Sequence, residues 1–214
     1  MNQSIQSIGS SAGRGLYGLM PSLLAAAALN LAHPVISYAH AETGENVTAS
    51  NVASSLQLGE YTYQVPTMTL KREDGHAVAF PAEFDDGRPV VMTFIYSSCK
   101  ALCPVMSHAL VDLQKKLGDQ AERVHMMSVT LDPEYDTPQR LSAYAKSLGA
   151  GKQWNHYTGS QADIIRLEKA FNVYYGDKMN HGAIFFVRSA QGQSWMRIQG
   201  FVKTDQLIGY LNMK

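Results

Sequence analysis

Cysteine is almost missing from this sequence: Cys99 and Cys103 are the only two among 214 residues. So few thiols exclude a disulfide-stapled scaffold, in which several bridges substitute for a core. An excess of charge is missing too, with 18 basic and 18 acidic side chains. That balance argues against a general nucleic-acid binder, whose phosphate contacts demand a basic surplus. Internal repeats are absent, and no low-complexity tract lies beyond the N-terminus. What remains is 45% apolar residues, an ordinary globular composition long enough for one well-buried core.

Charge is also scarce at the start of the chain, where Arg14 is the only charged side chain before Glu42. The continuous apolar run "LYGLMPSLLAAAALNLA" (16–32) ends in "SYAHA", where Ala39 and Ala41 supply the small residues of a signal-peptidase site. Residues 1–41 therefore read as a signal peptide, which sends the mature protein to the periplasm. An uncleaved membrane anchor is the alternative, disfavoured because Pro21, Asn30 and His33 interrupt the run. No cysteine follows the run closely enough for lipoprotein attachment. Either route brings the two thiols into an oxidising compartment.

Residues 42–60 are polar and weakly patterned, and read as a flexible leader to a domain over 61–214. "EYTYQVPTMTLKREDGHAVAF" alternates around Asp74-Gly75, the pattern of a hairpin. "PVVMTFIY" and "VHMMSVTL" are apolar, β-branched runs of the kind buried on both faces of a sheet. "PVMSHALVDLQKKLG" has helical spacing, Pro138 opens a second helix ending at Gly149, and Ser160 with Asp163 opens a third. A short strand at "WNHYTG", a hairpin around Ala190-Gln191-Gly192 and a helix at 204–212 complete the pattern. Alternating strands and helices predict one α/β domain with a central mixed sheet flanked by helices.

The two thiols lie where the first buried strand gives way to a helix. A structural disulfide is the common reading in exported proteins, but a bridge across so short a loop removes little unfolded-state entropy. On a regular helix, Cβ atoms at this spacing are about 5–6 Å apart, whereas a disulfide wants about 3.5–4.5 Å. The pair must sit partly in the loop, and a bridge there should be labile. A helix N-terminus favours thiolate, which is both the nucleophile of disulfide exchange and a ligand for soft metals such as copper(I) or zinc.

A metal needs at least one further ligand, and the seven histidines are the candidates. His33 and His40 leave with the signal, His76 lies by a turn, and His108 should point away from the thiols. His125 and His156 fall in strands and read as core or surface. His181 differs: it ends the loop "YYGDKMN" just before the strand "GAIFFV", a place as consistent with a ligand as with an ordinary loop residue. Met92, Met126 and Met127 read as core filler. Met106 and Met179 are weaker candidates for an auxiliary ligand, and neither is expected to serve.

Taken in order, these motifs resemble the Sco/SenC family of thioredoxin-fold copper chaperones. "TFIYSSCKALCP" resembles its strand and C-x-x-x-C-P, "SVTLDPEYDTPQRLSAYAKSLG" its D-P-x-x-D-T-P segment, "WNHYTGS" its W-x-x-L-T-G turn, and "VYY…HGAIFFV" its histidine before a strand. The resemblance spans about residues 60–212. It implies a thioredoxin-like fold and one copper held by Cys99, Cys103 and His181. It also implies a role in assembling the dinuclear copper centre of cytochrome c oxidase subunit II, by copper delivery or by reduction of that subunit's cysteines. Partners would then be that subunit or another copper or thiol client, together with a thiol reductant protein, and the chain would act as a monomer. Asp132 and Asp136 match acidic family positions near the site, although turn and helix-cap roles account for both.

The sequence departs from the family at Lys100, where proline is frequent, and in the short "GDKMN" loop. "NHG" also supplies no carboxylate to the imidazole. These departures strengthen the alternative of a cell-envelope thiol-disulfide oxidoreductase with Cys99 and Cys103 as its catalytic pair. A peroxiredoxin-like peroxidase is disfavoured, because Tyr96 stands where that chemistry resembles a threonine.

Overall fold

In the computed structural model, residues 56–212 are described. The expected signal peptide at 1–41 and the leader as far as residue 55 lie outside the described residues. The rest of the expected leader is not loose: Gln57–Tyr61 forms strand β1, paired antiparallel with a strand near the C-terminus from Gln57↔Gln199 to Tyr61↔Trp195. The expected hairpin is present but shorter than its alternating stretch, as β2 (Met68–Arg72) and β3 (Ala77–Phe80).

The apolar runs become β4 (Val90–Ile95) and β5 (His125–Thr130), buried at every residue and paired in parallel. Parallel neighbours require a crossover, and α1 (Leu102–Leu117) supplies it. β6 (Trp154–Thr158) lies parallel to β5, reached through α2 (Pro138–Leu148). After α3 (Gln161–Ala170), β7 (Ile184–Arg188) and β8 (Trp195–Gln199) form the C-terminal hairpin, and α4 (Thr204–Leu211) follows. The sheet is eight-stranded and mixed, in the order β1-β8-β7-β4-β5-β6-β2-β3. The expected α/β architecture is thus present.

Side chains of the central strands alternate between two cores, as the strand period requires. Met92, Phe94 and Phe186 join Leu141 of α2 and Ile164 and Leu167 of α3. Val91, Phe185 and Val187 join Leu110 and Leu113 of α1 and Leu207 and Leu211 of α4. Met92, Met126 and Met127 are fully buried, as expected of core filler, and Met106 is buried on α1's own apolar face. No helix among the described residues is long and apolar enough to cross a membrane.

The topology places the thiols and His181 together. β4 runs toward the Cys99 loop. β7 is antiparallel to β4, with Thr93 opposite Phe185, so the residues preceding β7 arrive at the edge where β4 ends. Parallel β5 delivers residues 131–137 to that same edge.

Candidate metal centre

Cys99 lies in the turn after β4, its N–H donating to the Tyr96 carbonyl at 3.1 Å. Ala101 is the N-cap of α1 and has no polar side chain to accept from the first turn. The Cys99 sulfur takes that place and accepts from the Cys103 N–H at 3.5 Å. Burial pushes the Cys99 thiol up, but the N–H groups of Cys103 and Ala101 and the Cys103 and Tyr96 side chains outweigh it, leaving the thiol below its ordinary value. Cys103, in the first turn itself, is fully buried. Burial pushes its thiol far up, and the charges of Cys99 and Asp136 push the same way. Both are free thiols. The pair is strongly unequal.

His181 completes the group, its Nε2 standing 3.3 Å from Cys103 Sγ. One ligand atom each from Cys99, Cys103 and His181 lies within 4.8 Å of the others, and among the described residues this is the only such cluster. Burial lowers the affinity of His181 for a proton, against a smaller opposing effect of its contact with Lys178. Its Nδ1 is buried without a hydrogen-bond partner, in keeping with the missing carboxylate in "NHG". Two sulfurs bound to one metal at about 2.3 Å each can be up to roughly 4.6 Å apart, so the dimensions fit one ion. Two thiolates and an imidazole suit a soft or borderline metal.

A short 3-10 turn over Lys178–Asn180 holds His181, with Asp177 Oδ1 accepting from the Met179 N–H at 2.9 Å. Lys178 Nζ pairs with Asp132 Oδ2 at 2.5 Å, tying this turn to the loop after β5. Tyr96 stands edge-on to the His181 ring at 5.3 Å and donates its hydroxyl to Met179 Sδ at 3.1 Å. Burial first, and then the contact with Cys99, push the Tyr96 phenol up to about 12.

The cap reading of Asp136 is corrected. The N-cap of α2 is Thr137, which accepts from the Arg140 N–H. Asp136 instead turns inward and is fully buried. It accepts from the Ser97 N–H at 3.0 Å, from Thr130 Oγ1 at 2.6 Å and from the Ser97 hydroxyl. Its carboxylate thereby ties the thiol loop to the end of β5. Asp132 keeps part of its turn role, its carbonyl accepting from Tyr135 and Asp136.

The remaining histidines in the described chain stay apart from the cluster. His125 is buried and bonded to Tyr157 at 3.0 Å. His156 is buried between Trp154 and Tyr144. His108 turns back to the Pro104 carbonyl at 2.8 Å, and His76 is exposed. Sequence reasoning passed over Ser97 and weighed Tyr96 only against a peroxidase pattern. The available signal was their position, since both follow a fully buried strand and directly precede the first thiol.

Comparison with known proteins identifies the lineage: the SCO1/SenC family pattern matches residues 64–213. The chain belongs to the SCO1/SenC family. It is 34% identical over 139 residues to the SCO1 protein homolog of Bacillus subtilis (strain 168), covering 61% of this chain and 71% of that protein. The structure of BsSco, a Sco-family cytochrome c oxidase assembly protein in which a disulfide switch has been identified, is 26% identical with a TM-score of 0.59. That match covers 73% of this chain and 98% of BsSco. Bradyrhizobium japonicum ScoI, solved with copper bound, is 21% identical with a TM-score of 0.57, over 68% of this chain and 98% of that one. The fold of this SCO1/SenC protein is thioredoxin-like, built on β4-α1-β5 and β7-β8-α4.

Proposed function

We propose that this protein is an exported copper carrier that takes part in cytochrome c oxidase assembly. The observation that carries the reading is the convergence of Cys99 Sγ, Cys103 Sγ and a His181 nitrogen within 4.8 Å. Family membership and the copper-bound state of the Bradyrhizobium protein support copper over zinc as the cargo. The Cys99 thiol is shifted toward thiolate and the His181 ring toward its neutral form, so these two donors bind at less proton cost than Cys103. Cys103 must shed its proton on binding, which makes uptake of the ion favour higher pH. The proposed recipient is the dinuclear copper site of oxidase subunit II.

A second reading has its own support, the inequality of the thiols. A half-buried, thiolate-prone Cys99 beside a buried, protonated Cys103 suits disulfide exchange: Cys99 attacks a client disulfide, and Cys103 resolves the mixed disulfide. In this role the protein reduces the subunit's cysteines and is regenerated by a thiol reductant protein. Complementation of an oxidase-deficient strain separates the two. Copper delivery predicts that His181→Ala fails to restore oxidase even though its thiols still exchange. Restoration by His181→Ala, with a Cys99–Cys103 reduction potential above about −300 mV, would instead establish the reductase role.

A further inference from the structure

Among the described residues Met179 is the most exposed of the large apolar side chains, at 67%, yet it is firmly held. Its N–H is capped by Asp177, and its neighbour Lys178 is paired to Asp132 and lies 5.5 Å from the centre of the Tyr96 ring. Its thioether is aimed inward, receiving the Tyr96 hydroxyl at 3.1 Å. That same phenol faces the His181 ring and is among the groups that stabilise the Cys99 sulfur. A thioether is a weak hydrogen-bond acceptor, and exposing an apolar side chain contributes nothing to folding. Neither satisfying Tyr96 nor filling the core explains a methionine here. What the position does supply is a soft sulfur on a largely exposed side chain, two residues from His181 and bonded to the tyrosine that faces the His181 ring.

We propose that Met179 is the receiving ligand for copper(I), taking the ion from an incoming donor and passing it inward to Cys99, Cys103 and His181. This rests on the copper-carrier reading. In the transfer, Met179 Sδ donates a lone pair as a bond between copper and a ligand atom of the donor breaks. The Cys99 thiolate then displaces Met179, His181 Nε2 adds its lone pair, and Cys103 joins with loss of its thiol proton to water. Copper remains copper(I), and no electron changes hands. A neutral, exposed thioether adds little to the final affinity beside two thiolates, so its effect is on rate in both directions.

Stopped-flow transfer of copper(I) from a coloured bicinchoninate complex to the reduced full chain tests this, comparing the unmodified protein with Met179→Leu. Leucine keeps apolar bulk and removes sulfur at an exposed position, and circular dichroism checks that the variant is folded. We expect loading and release both to slow by roughly tenfold, equivalent to about 1.4 kcal/mol in the barrier, with the equilibrium constant preserved. An unchanged loading rate overturns the proposal. So does a loss of equilibrium affinity that matches the loss of rate, because Met179 would then be a resident ligand. The carrier reading fails separately, if Cys99→Ala and Cys103→Ala bind copper(I) as tightly as the unmodified protein.

Discussion

Cys99 and Cys103 share a loop and a chemistry, and burial separates them. Cys99 is drawn toward thiolate by the open N–H groups of α1, whereas Cys103 is held protonated by its dry surroundings. Iodoacetamide labelling of the reduced protein near neutral pH, read by peptide mass, should therefore modify Cys99 first and Cys103 slowly. Equal rates would refute the inequality. His181 makes a different kind of contribution. In the proposed site it is a neutral nitrogen donor, which would matter more to copper(II), which prefers nitrogen, than to copper(I). His181→Ala should weaken copper(II) binding by a larger factor than copper(I) binding in chelator competition. A variant identical to the unmodified protein in both oxidation states would leave a bare dithiol site.

At the scale of elements, the site depends on a clamp between the thiol loop and the strand β5. The Asp136 carboxylate accepts from Ser97 and Thr130, and hydrogen bonds to a charged group contribute about 1.5–3 kcal/mol each. Asp136→Asn should lower stability to urea by about 2 kcal/mol and quicken labelling of Cys103 as the loop loosens. Unchanged stability would mean that the clamp carries no load. Family resemblance marked Asp136 as an acidic position near the site, but locally it stands before Thr137-Pro138, where a cap is the reading. Its partner Ser97 lies 39 residues away, and no local pattern reports such a contact. β1 was hidden for a related reason: "QLGEY" is an edge strand, largely exposed and without apolar alternation, and it is a strand because β8 pairs with it. The central strands and four helices were legible because burial on both faces and helical spacing both leave marks in sequence. The approach of His181 to the thiols required the order of the strands, which the sequence supplied only through family resemblance.

At the scale of the described chain, buried titratable groups away from the cluster contribute to the response to pH. Burial lowers His125 to about 4 and His156 to about 3. The folded protein refuses protons that the unfolded chain accepts below about 6.5, so stability from these groups falls as pH drops from there toward 4. Burial raises Glu168 to about 7, so its contribution is complete below the ordinary glutamate value and is lost as pH rises through 7. Urea unfolding should therefore show His156→Phe gaining on the unmodified protein more at pH 5 than at pH 7. Glu168→Gln should gain at pH 8 and not at pH 4. Parallel curves for either pair would contradict the assignment. The central claim is that one copper sits between the β4–α1 loop and the start of β7, and X-ray absorption of the copper(I)-loaded reduced protein tests it most directly. The account predicts two sulfurs at about 2.3 Å and one nitrogen at about 2.0 Å, with the nitrogen lost in His181→Ala. A shell of nitrogen and oxygen alone, or one unaltered by Cys99→Ala and Cys103→Ala, would contradict it.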